Sequence, residues 1–397
     1  MLSTYVELLL TLQNLYFDHF PLRYKLPMEY RQTAGNEIRL GKIKQRFAKF
    51  ATLFPVFLFA AATVLFIAAM FVRLPTLRNP MGDVKIWAWI LLGTTSFSAL
   101  VFYTLWMLVY QKDAIFMSNE IFRYEGELRK DWNLSVDHTV KATNIEKALL
   151  RLFQLFVWAF YLITPVGSIV ATLLEMDPLL PIIGFIFRTI PIFEKLLRFI
   201  ALNSEEFFNF CVFSFRVGWV TIFLYEGFRV LMFCLGLCIY VGKAVISYLT
   251  SISSLTTKFQ SNIILRGFRL HLRIYKVLLI IFQSLEAPIK PTTSLGIVAS
   301  TMAVAGCSFV VIRLHEVNEV YFTVFCGLVS FSAVILTEIT LDTLGELNMK
   351  AVKLLLHFRK TEILLGMGAL RKKLYLKELH FLPSQFLWAW VRRGFQE

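Results

Sequence analysis

The stretch that decides the fold is Phe207–Leu249, FFNFCVFSFRVGWVTIFLYEGFRVLMFCLGLCIYVGKAVISYL. As a single α-helix it would reach about 65 Å, roughly twice the thickness of the hydrocarbon layer of a membrane. No Pro, Asn-Gly or Gly-Gly turn divides it. We therefore interpret it as one long helix whose second half continues into the cytoplasm. The alternative is two membrane spans joined at Gly227.

The rest of the chain has the composition of an integral membrane protein. Of its 397 residues, 57% are apolar and only 17% are charged, whereas soluble domains carry about 25% charged residues. Uncharged runs of about 20 residues are long enough to span a bilayer as helices. Five uncharged runs of this kind occur in addition to Phe207–Leu249, which is apolar but contains four charged residues: Phe50–Val72, Ile86–Tyr110, Leu152–Leu174, Thr292–Ile312 and Val320–Thr337. The sequence thus predicts an all-α polytopic bundle with six clear spans.

The distribution of Lys and Arg predicts the orientation of this bundle. Alternate connecting segments, beginning with the amino-terminal one, carry 29 of these residues, and the other connections carry 7. Because basic segments remain in the cytosol, we expect a cytosolic amino terminus in a multi-pass protein of the plasma membrane. Basic loops facing anionic lipid account for the net charge of +14, so we expect the lipid bilayer, and no nucleic acid, as a partner.

This topology divides the chain into four parts. Residues 1–49 form a cytosolic amino-terminal segment, and 50–337 form the six-span bundle, with cytosolic helical extensions at about 228–287. Residues 338–380 form a cytosolic helical segment. The uncharged part of the tail 381–397 would make about 16 Å of helix, too short to cross the membrane. We interpret this tail as an interfacial stub or a truncated seventh helix.

Sequence signatures of catalysis are missing. The six histidines are scattered, and no phosphate-binding glycine loop or Gly-x-Ser-x-Gly motif occurs. We therefore expect no enzyme, no catalytic residue and no cofactor. The five cysteines all fall in apolar runs and predict neither a disulfide framework nor a metal site.

Charged residues inside the long apolar stretch are costly unless they face a partner or water. Glu226 and Arg229 have the spacing of a pair on one helix face, and we interpret them as an ion pair that docks neighbouring helices. Arg216 lies about two and a half turns inside the outer end of the stretch. Either its side chain snorkels outward, or it lines a hydrated pocket.

Two charged stripes lie in the predicted cytosolic helices. The basic stripe has helical spacing and comprises Arg266, Arg269, Arg273 and Lys276. The acidic stripe comprises Glu338, Asp342 and Glu346. Like charges at this spacing repel each other on an isolated helix. One hypothesis is that the stripes face each other in a cytosolic assembly; the alternative is a basic face on lipid and a solvated acidic face.

Aromatic residues are concentrated in the predicted outer half of the bundle. Aromatic belts at membrane interfaces explain most of this pattern, but an apolar pocket with few polar anchors would have the same composition. The candidate ligand-binding residues are Trp89, Tyr161, Ser168, Phe213, Arg216, Tyr321 and Phe325.

The layout resembles that of the arthropod gustatory and odorant receptor superfamily. The resemblance rests on the cytosolic amino terminus, the short outer loops, the extended fourth helix and two quoted stretches. These are LRGFRLHLRIYKVLLIIFQ before the fifth span and FVVIRLHEVNEVYF between the fifth and sixth. Both stretches are most similar to those of divergent family members in springtails. The resemblance covers about residues 35–375 and is one of architecture more than of motifs.

This resemblance implies a chemosensory receptor subunit, with seven helices, of a ligand-gated, non-selective cation channel. It implies a homo- or hetero-tetramer, a small-molecule ligand in the outer half of the bundle, and the charged stripes in a cytosolic anchor. The family's Thr-Tyr and Gln-Phe signature in the pore-lining seventh helix is absent, and LYLKELHFLPSQFLWAWV stands where that helix would begin. The alternatives are a secondary transporter or a non-conducting structural or regulatory membrane protein.

Overall fold

The structure is a computed structural model of the chain. It describes residues 2–21, 26–32, 38–42, 52–77, 82–131, 144–200, 204–258, 286–313 and 320–364. The helices in these ranges are α1 Leu2–Gln13, α2 Phe54–Arg73, α3 Val84–Tyr103, α4 Gln111–Asp131, α5 Asn144–Leu173, α6 Leu179–Thr189, α7 Pro191–Ile200, α8 Glu205–Lys258, α9 Glu286–Arg313 and α10 Val320–Leu364. Short π-helical turns extend α1 through Asp18 and α3 through Val109.

Five helical stretches in the described part of the chain are long and apolar enough to cross a membrane. They are Phe54–Thr76, Val84–Val109, Leu150–Leu173, Glu205–Thr250 and Ser294–Ile312. These match the first five predicted spans. The sixth predicted span, Val320–Thr337, forms the beginning of α10, where the apolar stretch found is the shorter Cys326–Ile335. The prediction of a membrane helix bundle is thus confirmed, and the number of spans remains a prediction.

Helix α8 is continuous over 54 residues, which confirms the interpretation of Phe207–Leu249 as one helix. Its two halves have different surroundings. In the first half, the rings of Phe207, Phe210 and Phe215 are exposed, as expected for a surface that faces lipid. From Val230 to Ile252, most side chains are buried by other parts of the chain. The second half is therefore enclosed by protein.

The amino-terminal segment supplies part of this enclosure. It contains α1 and a two-stranded antiparallel sheet formed by β1, Met28–Gln32, and β2, Ile38–Lys42. Met28, Tyr30 and Leu40 are buried, and the Tyr30 hydroxyl donates to the Phe233 carbonyl of α8 at 3.3 Å. The hairpin is a departure from the all-α prediction. Its apolar alternation covers only a few residues, which is too short to stand out in a sequence dominated by helical apolar runs.

Helix α4 holds this hairpin in place. The Asn119 side chain accepts from the Leu40 amide and donates to the Leu40 carbonyl, both at 2.9 Å. The Gln111 side chain donates to the Pro27 carbonyl at 2.9 Å. These contacts satisfy backbone groups that strand pairing leaves open. As a result, α1, the hairpin and α4 form one packed layer against the second half of α8.

Helices α9 and α10 form an antiparallel pair. The hydroxyl groups of Ser300 and Thr337 lie 2.5 Å apart, and those of Ser308 and Ser330 lie 3.3 Å apart. Helix α10 then continues beside α8 to Leu364. Residues 365–397, which include the predicted stub or truncated seventh helix at 381–397, lie outside the described residues.

Candidate functional site

The most polar site in the first half of α8 is built around Arg216, whose side chain is 8% exposed. Its Nε donates to the two carboxylate oxygens of Asp177 at 3.2 and 3.1 Å, and its Nη2 donates to Oδ2 at 2.5 Å. Nη2 also donates to the Thr172 carbonyl at 3.1 Å. This is a forked, charge-assisted contact in an apolar setting, the kind of ion pair whose removal on one side is most costly.

The end of α5 explains how Asp177 reaches Arg216. Glu175 adopts a left-handed backbone with φ of 54°, the Glu175 amide donates to Thr172 O, and the Met176 amide donates to Ala171 O. This pair of bonds stops the helix in the manner of a Schellman motif. The Asp177 carboxylate then accepts from the Leu179 and Leu180 amides at 3.2 Å each. Asp177 therefore both starts α6 and neutralises Arg216.

The structure gives Arg216 a buried acidic partner, Asp177, which neither sequence interpretation included. Asp177 lies in the predicted outer connection after the third span, where it follows the end of α5. A usable signal existed: an acid followed by Pro178 and an apolar run marks a helix start. In addition, the antiparallel order of the third and fourth spans brings that connection close to the outer end of α8.

Two further predicted residues contact the same region. The Trp89 indole Nε1 donates to the Met176 carbonyl at 2.7 Å, next to Asp177. The Ser168 hydroxyl, fully buried, lies 2.6 Å from the Thr221 hydroxyl of α8. Phe213, half-buried, lies one turn before Arg216 on α8. We call the set of Trp89, Ser168, Thr172, Asp177, Arg216 and Thr221 the Arg216 cluster.

We predict a moderate stability loss for Trp89→Phe. The variant removes the donor to Met176 O but retains an aromatic ring, so we expect a loss of about 1 kcal/mol. Thermal unfolding of the detergent-solubilised chain would measure it as a midpoint lower by a few degrees. Trp158→Phe is the matched control, since Trp158 is exposed, and we expect an unchanged midpoint. Equal midpoints for the two variants would contradict the prediction.

Tyr161 lies elsewhere. Its hydroxyl donates to the His19 carbonyl at 2.7 Å, and its ring packs edge-on against Tyr16 and Tyr225. It therefore belongs with the amino-terminal segment and not with the Arg216 cluster. Tyr321 and Phe325 lie in α10, but their side chains are outside the described residues. The predicted ligand-binding set is thus divided between two regions.

A second charged cluster lies further along α8. Arg229 Nη2 donates to Glu226 Oε1 at 2.8 Å, and both side chains are fully buried. This confirms the predicted pairing of Glu226 with Arg229. The Phe20 ring of the amino-terminal segment covers the Arg229 guanidinium at 4.0 Å, a cation–π contact. Phe20 also packs against Tyr225, so the amino-terminal segment encloses the pair.

The third charged cluster joins α8 to α10. Lys243 donates to Glu346 at 3.0 Å, Lys350 contacts the same carboxylate at 2.9 Å, and Lys350 donates to the Thr250 hydroxyl at 3.0 Å. The basic stripe of Arg266, Arg269, Arg273 and Lys276 lies outside the described residues, so both hypotheses for the two stripes stay predictions. Of the acidic stripe, Glu346 has partners on α8 and α10, while the side chains of Glu338 and Asp342 are exposed.

The contact at Glu346 should depend on pH. Burial acts to raise the pKa of this carboxyl, but hydrogen bonds from Lys350 and Lys243 outweigh it and hold the pKa below its ordinary value of 4.5. A carboxyl whose pKa is depressed in the folded state stabilises that state above the unfolded pKa and loses this effect as pH falls through the folded pKa.

We therefore expect amide hydrogen exchange in α10 around Glu346 to accelerate below about pH 4.5, after correction for the intrinsic rate. In Glu346→Gln this extra acceleration should disappear. Asp342→Asn is the control, because the exposed Asp342 should leave the profile unchanged. An identical profile for wild type and Glu346→Gln would show that the carboxyl does not hold the two helices.

The three charged clusters lie on one helix at different depths. From Arg216 to Lys243, α8 advances about 40 Å, which exceeds the hydrocarbon thickness of about 30 Å. Among the residues that the structure describes, no group of three or more His, Cys, Asp or Glu side chains could hold a metal ion. The chemistry available in the Arg216 cluster is hydrogen bonding and charge recognition beside aromatic surface.

No family model matches the chain, and no curated protein or solved structure matches it either. The resemblance to the arthropod gustatory and odorant receptor superfamily therefore stays a prediction from the sequence. The chain is a membrane protein whose described part contains five helices long and apolar enough to span the bilayer.

Proposed function

We propose that the chain is a chemosensory receptor subunit of the ligand-gated, non-selective cation channel type, and that it binds a small molecule at the Arg216 cluster. The observation that carries this proposal is the buried Arg216–Asp177 pair between apolar helices. Ionisable groups at such positions are expensive to bury and commonly mark ligand or ion sites in membrane proteins. Its surroundings combine aromatic surface with a few polar anchors, the usual composition of small-molecule sites.

The site can offer a ligand several hydrogen-bonding groups without loss of the ion pair. The Ser168 and Thr221 hydroxyls lie 2.6 Å apart, and each also lies within hydrogen-bond reach of a carbonyl of its own helix. Because each hydroxyl has a single proton, one donates to the other hydroxyl, which in turn donates to the carbonyl of its own helix. A ligand oxygen or nitrogen could replace the contact between the helices, while the half-buried Phe213 and the fully buried Trp89 would supply apolar surface. Binding here would act on the contact between α5 and α8.

Continuity of α8 supports a receptor role. The same rigid helix that carries Arg216 also carries Lys243, whose partner Glu346 lies on α10. A small rotation or shift of α8 caused by a ligand would therefore reach the contact between α8 and α10. Transmission of this kind requires two discrete arrangements of the helices. We therefore propose one arrangement of α8 and α10 without ligand and a second with ligand bound.

The proposed location, membrane orientation and oligomeric state are those predicted from the sequence. The subunit would be a multi-pass protein of the plasma membrane with a cytosolic amino terminus, and it would conduct as a homo- or hetero-tetramer. An epitope at the amino terminus tests the orientation: we expect antibody binding only after the cells are permeabilised. Binding to intact cells would reverse the proposed topology.

The function is tested by screening small molecules against cells that express the full chain, alone and with candidate partner subunits. The expected result is a concentration-dependent cation current, together with a raised unfolding temperature of the purified chain in the presence of the same molecule. Ser168→Ala should weaken both effects, whereas Ser98→Ala is the matched control, since the Ser98 hydroxyl bonds to Thr94 O within α3.

The outcomes separate the three classes of protein. Substrate uptake without a current would favour a secondary transporter. Stabilisation by a ligand without current or uptake would favour a non-conducting regulatory subunit. A chain that no molecule stabilises, and that neither conducts nor transports, would overturn the receptor proposal in favour of a structural protein.

A further inference from the structure

Two cysteines from different helices meet where α9 and α10 pack together. Cys307 lies on α9 and Cys326 on α10, and their exposed fractions are 2% and 4%. Both belong to one apolar cluster with Val84 and Val310. Both are free thiols, and they lie within hydrogen-bonding reach of each other. Shared burial in one small cluster therefore places the two sulfur atoms close together in the folded chain.

The register of the two helices independently supports this pairing. In an antiparallel pair, residues that lie opposite each other have sequence numbers with a nearly constant sum. The contacts between Ser308 and Ser330 and between Ser300 and Thr337 follow this relation, and Cys307 with Cys326 is displaced from it by about one helical turn. Because Cys326 and Ser330 are one turn apart on the same face of α10, that face packs on the part of α9 that carries Cys307 and Ser308, and both cysteines belong to the same buried cluster.

The apolar cluster also holds the thiols in position. Trp87 of α3 packs on Phe309 of α9 with ring centroids 4.9 Å apart, on the segment that carries Cys307. Packed rings, here partly buried, limit how far α9 can rotate, because rotation would open a void in the packing. Two sulfur atoms confined in this way have a small loss of conformational freedom when they are joined.

We infer that Cys307 and Cys326 form a redox site that closes to a disulfide between α9 and α10. In the membrane orientation predicted from the Lys and Arg distribution, α9 ends and α10 begins on the outer side of the membrane, at Arg313 and Val320. That side faces an oxidising compartment. One thiolate attacks a disulfide of an oxidoreductase or a small disulfide, and the second thiolate then attacks the resulting mixed disulfide. Two electrons pass to the oxidant, which leaves as two thiols that take up the two protons.

A closed disulfide would join two helices across a loop of about 20 residues and restrict the unfolded chain. It would also prevent the outer ends of α9 and α10 from separating at this level. The inference requires no ligand and no ion conduction, so it stands or fails independently of the proposed function. It departs from the sequence expectation of no disulfide framework, which treated thiols in apolar helices as small apolar side chains; in the structure all five cysteines are free.

The test uses the full chain in membranes, oxidised with copper–phenanthroline, which transfers the electrons to dioxygen. Free thiols are then alkylated, and the digested chain is analysed by mass spectrometry without reduction. We expect a peptide pair linked through Cys307 and Cys326, about 2 Da lighter than the sum of the two thiol peptides, and its loss on reduction. Cys211, which is exposed, should remain fully alkylated in its own peptide.

Variants with conservative changes complete the test. Cys326→Ser should abolish the linked pair and leave Cys307 alkylated, with an unchanged elution volume of the protein as evidence of folding. Reductant should lower the unfolding temperature of the oxidised wild type by a few degrees and should leave that of Cys326→Ser unchanged. Full alkylation of both cysteines after oxidation, or linkage of Cys307 to a different cysteine, would overturn the inference.

Discussion

Replacing Glu226 with Gln is expected to lower the free energy of unfolding by about 3–5 kcal/mol. The pair that it forms with Arg229 is fully buried on both sides, so the variant leaves a guanidinium in an apolar interior without its carboxylate. The Phe20 ring on Arg229 cannot replace a full negative charge. Equilibrium unfolding in mixtures of a mild detergent and dodecyl sulfate would measure the loss.

The double variant Glu226→Leu with Arg229→Met separates the pair from the packing. Because it removes both charges and retains most of the volume, we expect it to recover most of the lost stability. Glu194→Gln is the control, since the Glu194–Arg198 pair on α7 is partly exposed and should contribute less than about 1 kcal/mol. If Glu226→Gln cost no more than Glu194→Gln, the burial of the pair would have no energetic consequence.

Replacing Arg216 with Met is expected to have the second large effect, again about 3–5 kcal/mol. The variant leaves the Asp177 carboxylate buried, held only by the Leu179 and Leu180 amides. Asp177→Asn should cost less, because the long Arg216 side chain can extend toward the polar surface when its partner is neutral. An amide at position 177 also retains an oxygen that can accept from the two backbone amides.

The same unfolding experiment tests this asymmetry. Arg216→Met combined with Asp177→Asn should be more stable than Arg216→Met alone, because no charge then remains buried. The control is Arg73→Met, whose ion pair with Asp83 is partly exposed on the arginine side and should cost about 1 kcal/mol or less. A larger loss for Asp177→Asn than for Arg216→Met would indicate that the unpaired Arg216 guanidinium is more costly to bury than the unpaired Asp177 carboxylate, and would contradict the expected order.

A ligand readout links this prediction to the proposed function. If a small molecule binds at the Arg216 cluster, the double variant should fold and yet lose the stabilisation by that molecule. The Glu226→Leu, Arg229→Met variant should retain it, since that cluster lies about 15–20 Å further along α8. Loss of ligand stabilisation in both double variants would instead point to a general loss of the native helix packing.

Local properties of single helices were readable from the sequence. The lengths of the apolar runs predicted the membrane helices, because transfer of uncharged residues into hydrocarbon acts along one helix at a time. The absence of helix breakers predicted the continuity of α8. The three-residue spacing of Glu226 and Arg229 predicted their pairing, because such spacing lies on one helix face.

Short elements and distant partners were not readable in the same way. The hairpin of β1 and β2 is stabilised by Asn119 of α4. No local sequence pattern predicts this contact, because the two residues that form it are about 80 positions apart. Tyr161 was predicted beside a ligand, yet it packs on the amino-terminal segment, because the path of that segment is set by packing on α5 and α8. The side chains of Tyr321 and Phe325 lie outside the described residues.

The lengths and spacings in the sequence predicted the membrane-spanning helices, a continuous α8 and the pairing of Glu226 with Arg229, whereas the full burial of that pair is a finding of the structure. The contacts of Arg216 with Asp177, of Glu346 with Lys243 and of Cys307 with Cys326 are known only from the packed helices. Hydrophobic length and helix periodicity are properties of one segment. Contacts between segments depend on the rotation and depth at which helices pack, and many combinations bury the same apolar area.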